Sequence, residues 1–254
     1  MFVALVVGVG LSIRRAKRVG VDPQVIMDMA VWLLVSGLVG ARLTYVIFHL
    51  DEFQGRWLDM ISPFQSDGTI GIAGLVVLGS ILGAIPAAYI FTKRRNLPFW
   101  KIVDIFIPGL ALAMGIGRIG CFLNGCCFGL PTDLPWGVHF PETCHAGYAS
   151  GGVAIHPTQI YELIGDFAIA GVLLWRTAKV KFEGELFMMF LIMVGIFRFF
   201  IETIRYYGED KLVLLNLGTG HFTFSMLVSL LMSVFGLYML MRGYKHPTKG
   251  ARKK

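Results

Sequence analysis

Six stretches of the sequence are apolar over nearly the length of a membrane-spanning helix, and this restricts the fold more than any other feature. A hydrocarbon core of about 30 Å requires about 20 apolar residues in helical conformation. A shorter seventh stretch lacks the basic start and the small-residue cleavage site of a signal peptide, so we interpret it as a first span. The six stretches are Val25–Phe48, Ile70–Phe91, Ile102–Ile119, Gln159–Trp175, Leu186–Ile201 and Phe222–Met241, and the seventh is Met1–Ile13.

The composition supports the same conclusion. The chain is 56% hydrophobic and 15% charged, with a mean hydropathy of +0.68. A soluble domain is about 45–50% apolar and about 25% charged, so a soluble globular fold is excluded. We predict an all-α integral membrane protein, a seven-span helical bundle that forms a single domain over residues 1–254.

The distribution of basic residues predicts how this bundle is oriented. Of the 23 Lys and Arg residues, 17 lie after spans one, three, five and seven, whereas the opposite loops hold Arg56, Lys211 and most of the loop acids. The positive-inside rule then places the N-terminus outside and the C-terminus in the cytoplasm. A basic tail of this kind typically contacts anionic lipid, so we expect a lipid bilayer around the chain and no nucleic acid partner.

Four arginines fall within the predicted spans or at their outer ends, and they need a partner there. A charge in hydrocarbon costs at least about 2.5–3.5 kcal/mol, so it normally faces a cavity or an opposite charge. These arginines are Arg42, Arg118, Arg198 and Arg205, and the acids available for pairing are Glu162, Asp166 and Glu202. Two interpretations remain open: an ion-pair network that holds the bundle together, or an anion site that binds a phospholipid phosphate.

The stretch "GIGRIGCFLNGCCFG", residues 115–129, lies at the outer end of the fourth predicted span. Its helical glycines predict close helix packing, and Gly125 and Gly129 permit backbone turns that other residues resist. Arg118 is then expected to extend from a glycine-lined wall into the bundle.

This stretch resembles the signature of the bacterial prolipoprotein diacylglyceryl transferases, whose core reads roughly G-x-G-R-x-G-N-F-x-N-G-E-x-x-G. Four further blocks resemble the same family in order and spacing, and together they cover nearly the whole chain from Val25 onward. The blocks are "GARLTYVIF", "IHPTQIYELI", "GIFRFFIETIR" and "FTFSMLVSLLM". The resemblance implies a seven-span enzyme with its N-terminus outside, in the bacterial cytoplasmic (inner) membrane.

The resemblance also implies a reaction. A diacylglyceryl group moves from phosphatidylglycerol to the lipobox cysteine thiol in the signal peptide of a preprolipoprotein, a thioether forms and glycerol phosphate leaves. No cofactor and no metal are implied. Such chemistry needs a thiolate nucleophile and positive charge for the leaving phosphate.

The family's site residues can be placed on this sequence. Arg118 and Arg198 match its essential arginines, Glu202 completes the catalytic set with them, and His156 serves either as a base or as a structural cap at a helix start. The residues expected to bind substrate are Arg118, Asn124, Gly129, Arg198, Arg205, Arg42, Tyr161 and Glu162.

The sequence departs from the family pattern at three positions. Cys121 replaces an asparagine of the signature and Cys126 its glutamate, while Ala73 stands near the place where the family has a histidine or tyrosine. These departures leave two alternatives to the transferase: a lipid-binding paralogue without turnover, and a thiol redox or metal-handling membrane protein.

The four cysteines allow three interpretations of their own. The leading one is a structural disulfide in which Cys126 or Cys127 pairs with Cys121 or Cys144, because adjacent cysteines rarely bridge. The second is a metal site with a histidine, although the spacing fits no strong template. Its candidates are His139, His145 and His156. The third is a reactive thiol at Cys126.

Overall fold

The structure is a computed structural model that describes residues 1–53, 60, 77–207, 213–216 and 221–245. Within these residues it is dominated by seven helices of 17 residues or more, joined by a shorter helix and one β-hairpin. The helices are α1 Phe2–Arg18, α2 Pro23–Phe48, α3 Val77–Arg94, α4 Phe99–Leu123, α5 His145–Ser150, α6 Thr158–Arg176, α7 Glu185–Thr203 and α8 Phe224–Lys245. The hairpin pairs β1 Val213–Asn216 with β2 His221–Thr223 in antiparallel register.

Four of the described helices, α2, α4, α7 and α8, are long and apolar enough to cross a membrane. The chain is therefore a mostly helical, multi-pass membrane protein, as its composition predicts. Each of the seven predicted spans overlaps one of the long helices. The fourth helix continues past the predicted end at Ile119 to Leu123, and Arg118 lies within it as predicted.

The chain forms two compact units, one of residues Met1–Arg15 and Val103–Lys254 and the other of Ala16–Ile102. In the first unit, α1 packs against α4 where two glycines meet. A Cβ added at Gly8 would lie 2.8 Å from the carbonyl oxygen of Gly109, so the backbones approach too closely for a larger residue. Arg15 extends from α1 and donates from Nη1 to the carbonyl oxygens of Asp104 and Ile105, at 2.6 and 2.9 Å.

The apolar core of the first unit lies between α4, α6 and α7. Its buried members are Ile107, Ala111, Ile169, Ala170, Leu173, Leu186 and Phe190. Asp104 closes one end of this core, since its carboxylate accepts hydrogen bonds from the backbone N–H groups of Gly184 (2.8 Å) and Phe187 (3.0 Å) at the start of α7. The core therefore fixes α6 and α7 side by side in opposite directions.

In the second unit, α2 packs against α3 through small residues. A Cβ added at Gly40 would lie 3.0 Å from the Cα of Gly83, which explains why the two helices can touch along their backbones. The Trp32 indole donates to the carbonyl oxygen of Ala87 at 3.0 Å. This pair of helices thus forms a tight hairpin of its own.

Candidate active site

Three arginines converge on one carboxylate in the first unit. Glu162, one turn into α6, receives Arg118 Nη2 from α4 at 3.2 Å and Arg205 Nη1 from beyond α7 at 3.3 Å. Arg198 Nη1 from α7 donates to the same oxygen, Oε1. Because α4 and α7 end where α6 begins, the fold brings these four side chains to one end of the helices. We call Glu162, Arg118, Arg198 and Arg205 the Glu162 cluster.

The cluster is buried on its acidic side and open on its basic side. The Glu162 side chain is 4% exposed, whereas those of Arg118 and Arg198 are 22% and 27% exposed. Each guanidinium carries five N–H donors in a planar fork, and a single shared oxygen engages only part of them. Asp166, one turn further along α6, adds an electrostatic interaction with both exposed arginines. The cluster can therefore receive an anion.

Three buried oxygen atoms line the same face of α6. Among the described residues, Gln159 Oε1, Glu162 Oε2 and Asp166 Oδ2 have no hydrogen-bond partner. They recur at spacings of three and four residues, which places them on one side of a helix. A buried acceptor without a donor costs free energy, so these three oxygens are unsatisfied acceptors in this structure.

Glu202 forms a second centre beside the first. Its carboxylate accepts hydrogen bonds from the Tyr207 hydroxyl at 2.6 Å and from the Thr223 hydroxyl at 3.0 Å, and Arg198 Nη2 lies 3.9 Å away. Burial, together with the hydrogen bond to Glu202, raises the pKa of Tyr207 to about 12, so this phenol stays a donor at neutral pH. Glu202 thereby fixes the far side of Arg198.

The signature segment after α4 is held against α6 by its backbone. The carbonyl oxygen of Cys126 accepts from Gln159 Nε2 at 2.8 Å, and that of Cys127 accepts from the Thr158 hydroxyl at 2.7 Å. Gly129 then pairs with Arg205 in an antiparallel β-bridge. These bonds tie the signature to the residues that flank the Glu162 cluster.

Two glycines of the signature have identifiable roles. Gly125 has a φ of +63°, in the left-handed region that favours glycine, and it turns the chain after α4. A Cβ added at Gly129 would lie 2.7 Å from both the His156 Cβ and the carbonyl oxygen of Ile204. A Cβ added at Gly115 would lie 2.5 Å from the Phe167 ring and 3.3 Å from the Asp166 Cβ, whereas one added at Gly117 or Gly120 would meet no described atom within 4 Å. Helix packing therefore explains only one of the three helical glycines.

His156 lies next to the cluster, just before α6. Its Nδ1 is 3.3 Å from the Tyr161 hydroxyl oxygen, which also accepts from Trp136 Nε1 at 2.8 Å. The Tyr161 hydrogen is then available to His156 Nδ1, which leaves Nε2 as the other ring nitrogen that can exchange a proton. Pro157, not His156, is the N-cap residue of α6.

Two predicted binding residues are not members of the Glu162 cluster. Asn124 is exposed and follows the last residue of α4. Arg42 is part of the second unit, where its Nε donates to the carbonyl oxygen of Met60 at 2.9 Å. Ala73 lies outside the described residues. Their roles in substrate binding and catalysis stay predictions.

The four cysteines are free thiols, so the predicted structural disulfide is wrong for this structure. Cys144 lies at the N-cap position of α5, and its thiol donates to the carbonyl oxygen of Pro141 at 3.2 Å. The sulfur atoms of Cys121, Cys126 and Cys127 lie within 4.8 Å of one another without a bond. The turn at Gly125 brings the three together, and it leaves Cys144 outside the group.

The sequence analysis missed the residues that hold the signature and Glu202 in place, although three of them lie in the quoted family blocks: Thr158, Gln159 and Thr223. Thr158 and Gln159 hold the signature backbone, and Tyr207 and Thr223 hold Glu202. Asp166 is one of the predicted acidic partners, and its spacing of four from Glu162 is the signal that it shares that residue's face. Nothing in the sequence links Thr223 to Glu202, since 21 residues separate them.

The sequence matches one known protein family over most of its length. The family model described as prolipoprotein diacylglyceryl transferase matches residues 1–242. The chain belongs to the prolipoprotein diacylglyceryl transferase family.

Several relatives in this family cover most of both chains. The phosphatidylglycerol–prolipoprotein diacylglyceryl transferase of Finegoldia magna is 33% identical over 98% of this chain and 91% of its own length. That of Clostridium tetani is 33% identical over 89% of this chain and 84% of its own. The enzyme of Clostridioides difficile is 36% identical over 84% and 78%. The family resemblance of the signature is thus confirmed, and neither non-transferase alternative is favoured.

Proposed function

We propose that this chain is a phosphatidylglycerol–prolipoprotein diacylglyceryl transferase that works at the Glu162 cluster. The observation that carries the proposal is the convergence of Arg118, Arg198 and Arg205 on a single carboxylate oxygen of Glu162. Glu202 and Asp166 bring the local charges to three cations and three acids, but one shared oxygen engages only part of the guanidinium N–H donors, and the remaining donors can bind an anion. The relatives' names supply the substrates: phosphatidylglycerol and a prolipoprotein.

In this proposal the exposed arginines bind the lipid phosphate. Arg118 and Arg198 present planar forks that match two phosphate oxygens, and Glu162 with Glu202 holds the forks in place. The acceptor oxygens on α6, Glu162 Oε2 and Asp166 Oδ2, take hydrogen bonds from the glycerol hydroxyls of the head group. Asn124 and Tyr161 of the first unit, and Arg42 of the second unit, are further proposed contacts to lipid or peptide.

The proposed transfer step needs a base for the thiol and positive charge for the leaving phosphate. The lipobox thiol of the signal peptide loses its proton to His156, and the thiolate attacks the glycerol carbon that bears the phosphate ester. A carbon–sulfur bond forms as the carbon–oxygen bond breaks, and glycerol phosphate leaves with the electron pair of the broken bond. Arg118 and Arg198 stabilise the negative charge that develops on the leaving phosphate.

We further propose that residues 1–254 form one transmembrane domain of seven spans in the bacterial cytoplasmic membrane. The positions of the seven long helices and the loop charges support a cytoplasmic C-terminus and an outer N-terminus. The Glu162 cluster then lies at the outer ends of α4 and α7. A reporter fused after Lys254 should respond as cytoplasmic, and one inserted within 132–150 as external. The reverse labelling would contradict both the orientation and the placement of the site.

Complementation provides the direct test of function. The chain should restore growth and lipoprotein maturation in bacteria depleted of their own transferase. With purified protein, a lipobox peptide incubated with phosphatidylglycerol should gain the mass of one diacylglyceryl group and release glycerol phosphate. A peptide with serine in place of the acceptor cysteine is the control. Lipid binding without any mass gain would contradict the transferase and favour the non-catalytic paralogue.

A further inference from the structure

Three thiols meet beside the end of α4, and the transfer reaction does not use them. The sulfur atoms of Cys121, Cys126 and Cys127 all lie within 4.8 Å of one another, and all three residues are half-buried. Cys121 belongs to the last turn of α4, and the other two belong to the turn that follows. We call these residues the cysteine triad.

The backbone of the turn produces this convergence. The N–H of Cys126 donates to the carbonyl oxygen of Cys121 at 3.1 Å, so the chain folds back over the helix end. Cys127 has a φ of +61°, and a residue with a Cβ adopts this left-handed conformation only at a cost. Such conformations cluster at ligand clamps.

The triad is also held rigidly from outside. The backbone carbonyls of Cys126 and Cys127 accept the hydrogen bonds from Gln159 and Thr158 on α6. Both donors are fully buried, with 0% exposure. Ligands fixed on a restrained backbone lose little entropy on binding, which is the requirement for a preorganised metal site.

We propose that the cysteine triad binds one thiophilic d¹⁰ cation of the zinc class. The three thiols release their protons to solvent and form three metal–sulfur bonds of about 2.3 Å, with a fourth position left to water. Tetrahedral bonds of that length separate the sulfurs by about 3.8 Å, so the triad needs to contract by no more than about 1 Å.

Charge around the triad supports binding of three thiolates. Three thiolates around a divalent ion carry a net charge of −1, which a neighbouring cation compensates. Arg205 interacts electrostatically with Cys127, and Arg118 lies one helical turn before Cys121. The same three sulfurs could form only one disulfide, which would leave the third without a partner, whereas a metal ion engages all of them.

Metal titration of the reduced, full-length protein in detergent micelles tests the proposal. Cadmium, used as a spectroscopic stand-in for zinc, should give thiolate-to-metal charge-transfer absorption that saturates at one equivalent. Zinc should displace it and should raise the melting temperature, because an ion that binds the folded state stabilises it. Cys121→Ser and Cys127→Ser should each weaken zinc binding at least about 100-fold, since loss of even an outer-sphere partner costs about 10–100-fold.

Cys144→Ser is the matched control, because it removes the one thiol outside the triad. It should bind cadmium and zinc as the parent does. The proposal would be overturned if the parent shows no saturable charge-transfer band, or if Cys144→Ser loses the band as well. A disulfide between two triad cysteines in protein isolated without reductant, found by mass spectrometry, would also overturn it. None of these three results bears on diacylglyceryl transfer, which the lipobox-peptide assay measures separately.

Discussion

The helices α6 and α7 run in opposite directions, and a buried glutamate lies near each end of the pair. At one end, Glu185 accepts from Arg176 Nε at 2.7 Å and from the Tyr244 hydroxyl at 2.9 Å through Oε1, while Oε2 accepts from the Lys181 N–H at 2.5 Å. Both carboxylate oxygens have donors, and one arginine balances one acid. The Glu185 side chain is fully buried, and that of Arg176 is 16% exposed.

At the other end, about 21 Å away along α6, the Glu162 cluster is built differently. Three arginines share Oε1, while Oε2 has no donor among the described residues. The two ends use the same residue types and similar burial of the acid. They differ in that three guanidinium groups share one carboxylate oxygen at the Glu162 end, and in how many donors and acceptors are satisfied.

We interpret this difference as that between an ion pair that serves stability and a cluster that serves binding. A buried pair whose bonds are complete has no capacity for a ligand, and its removal leaves an uncompensated charge. A cluster with surplus donors is costly to maintain unless a ligand completes it. We therefore expect substitutions at the Glu185 end to affect stability and substitutions at the Glu162 end to affect transfer.

The largest effect is expected on transfer at the Glu162 end. Arg118→Ala and Arg198→Ala should each lower the transfer rate about 10²–10³-fold, which corresponds to about 2.7–4 kcal/mol for loss of a donor to developing negative charge. Rates with the lipobox peptide and phosphatidylglycerol measure this, with protein level checked in the membrane. Arg95→Ala is the matched control, since Arg95 forms a partly exposed pair with Asp28 in the second unit. Near-normal transfer by Arg118→Ala would favour the pure ion-pair interpretation.

The sequence is enough to predict the long helices and the main cluster. Apolar runs have the length that a membrane imposes, and intramembrane charges must find partners. The sequence alone therefore groups four arginines with three acids: Arg42, Arg118, Arg198 and Arg205 with Glu162, Asp166 and Glu202. The sequence does not predict which of these acids forms the ion pairs with the arginines. Glu202 lies on the same helical stripe as Arg198, yet Arg198 turns to Glu162 on the neighbouring helix.

The sequence does not predict the supporting hydrogen bonds or whether the cysteines are bridged, because both depend on the path of the backbone. Hydrogen bonds such as those from Thr158 and Gln159 to the signature backbone depend on where a turn places its carbonyls. That path is set by left-handed residues, including Cys127, a position where glycine would be expected. The same turn gathers three sulfurs, which spacing alone suggests as members of a disulfide.

The next largest effect is a difference in the free energy of unfolding between arginine variants at the two ends. Arg176→Met leaves the fully buried Glu185 without its cation, so the free energy of unfolding should fall by about 3 kcal/mol. Arg118→Met leaves Glu162 with two other arginines, and we expect a loss of less than about 1 kcal/mol. Unfolding of both variants in detergent, followed by circular dichroism, measures the difference. Equal losses would show that the two ends are equivalent supports of the fold.

A smaller effect on stability and transfer is expected from a substitution at Gly129, in the signature segment beside the Glu162 cluster. Gly129→Ala would place a Cβ 2.7 Å from the backbone of Ile204, beside Arg205. Overpacking of this kind costs about 1–3 kcal/mol, and the resulting shift should also slow transfer. Gly117→Ala is the control, because its added Cβ meets no described atom within 4 Å. A Gly129→Ala protein with parent-like melting and transfer would contradict the proposed coupling between loop and cluster.

The smallest effect is expected from removing one tyrosine hydroxyl at each end. Tyr207→Phe removes a 2.6 Å hydrogen bond to Glu202, and Tyr244→Phe removes a 2.9 Å bond to Glu185. Because other donors remain on both acids, each loss should be about 1 kcal/mol or less in stability. Only Tyr207→Phe should also slow transfer, since Glu202 positions Arg198.

Titration separates the Tyr207 contribution from a simple packing effect. The folded pKa of Tyr207 is raised from the ordinary value of 10.0 to about 12 by burial and by its bond to Glu202. The unfolded chain therefore releases this proton first, and stability of the parent falls as pH rises from 10 to about 12. The stability gap between the parent and Tyr207→Phe should be constant below pH 10 and should shrink above it. A gap that stays unchanged across that interval would show that Tyr207 acts through its ring and not through its hydroxyl.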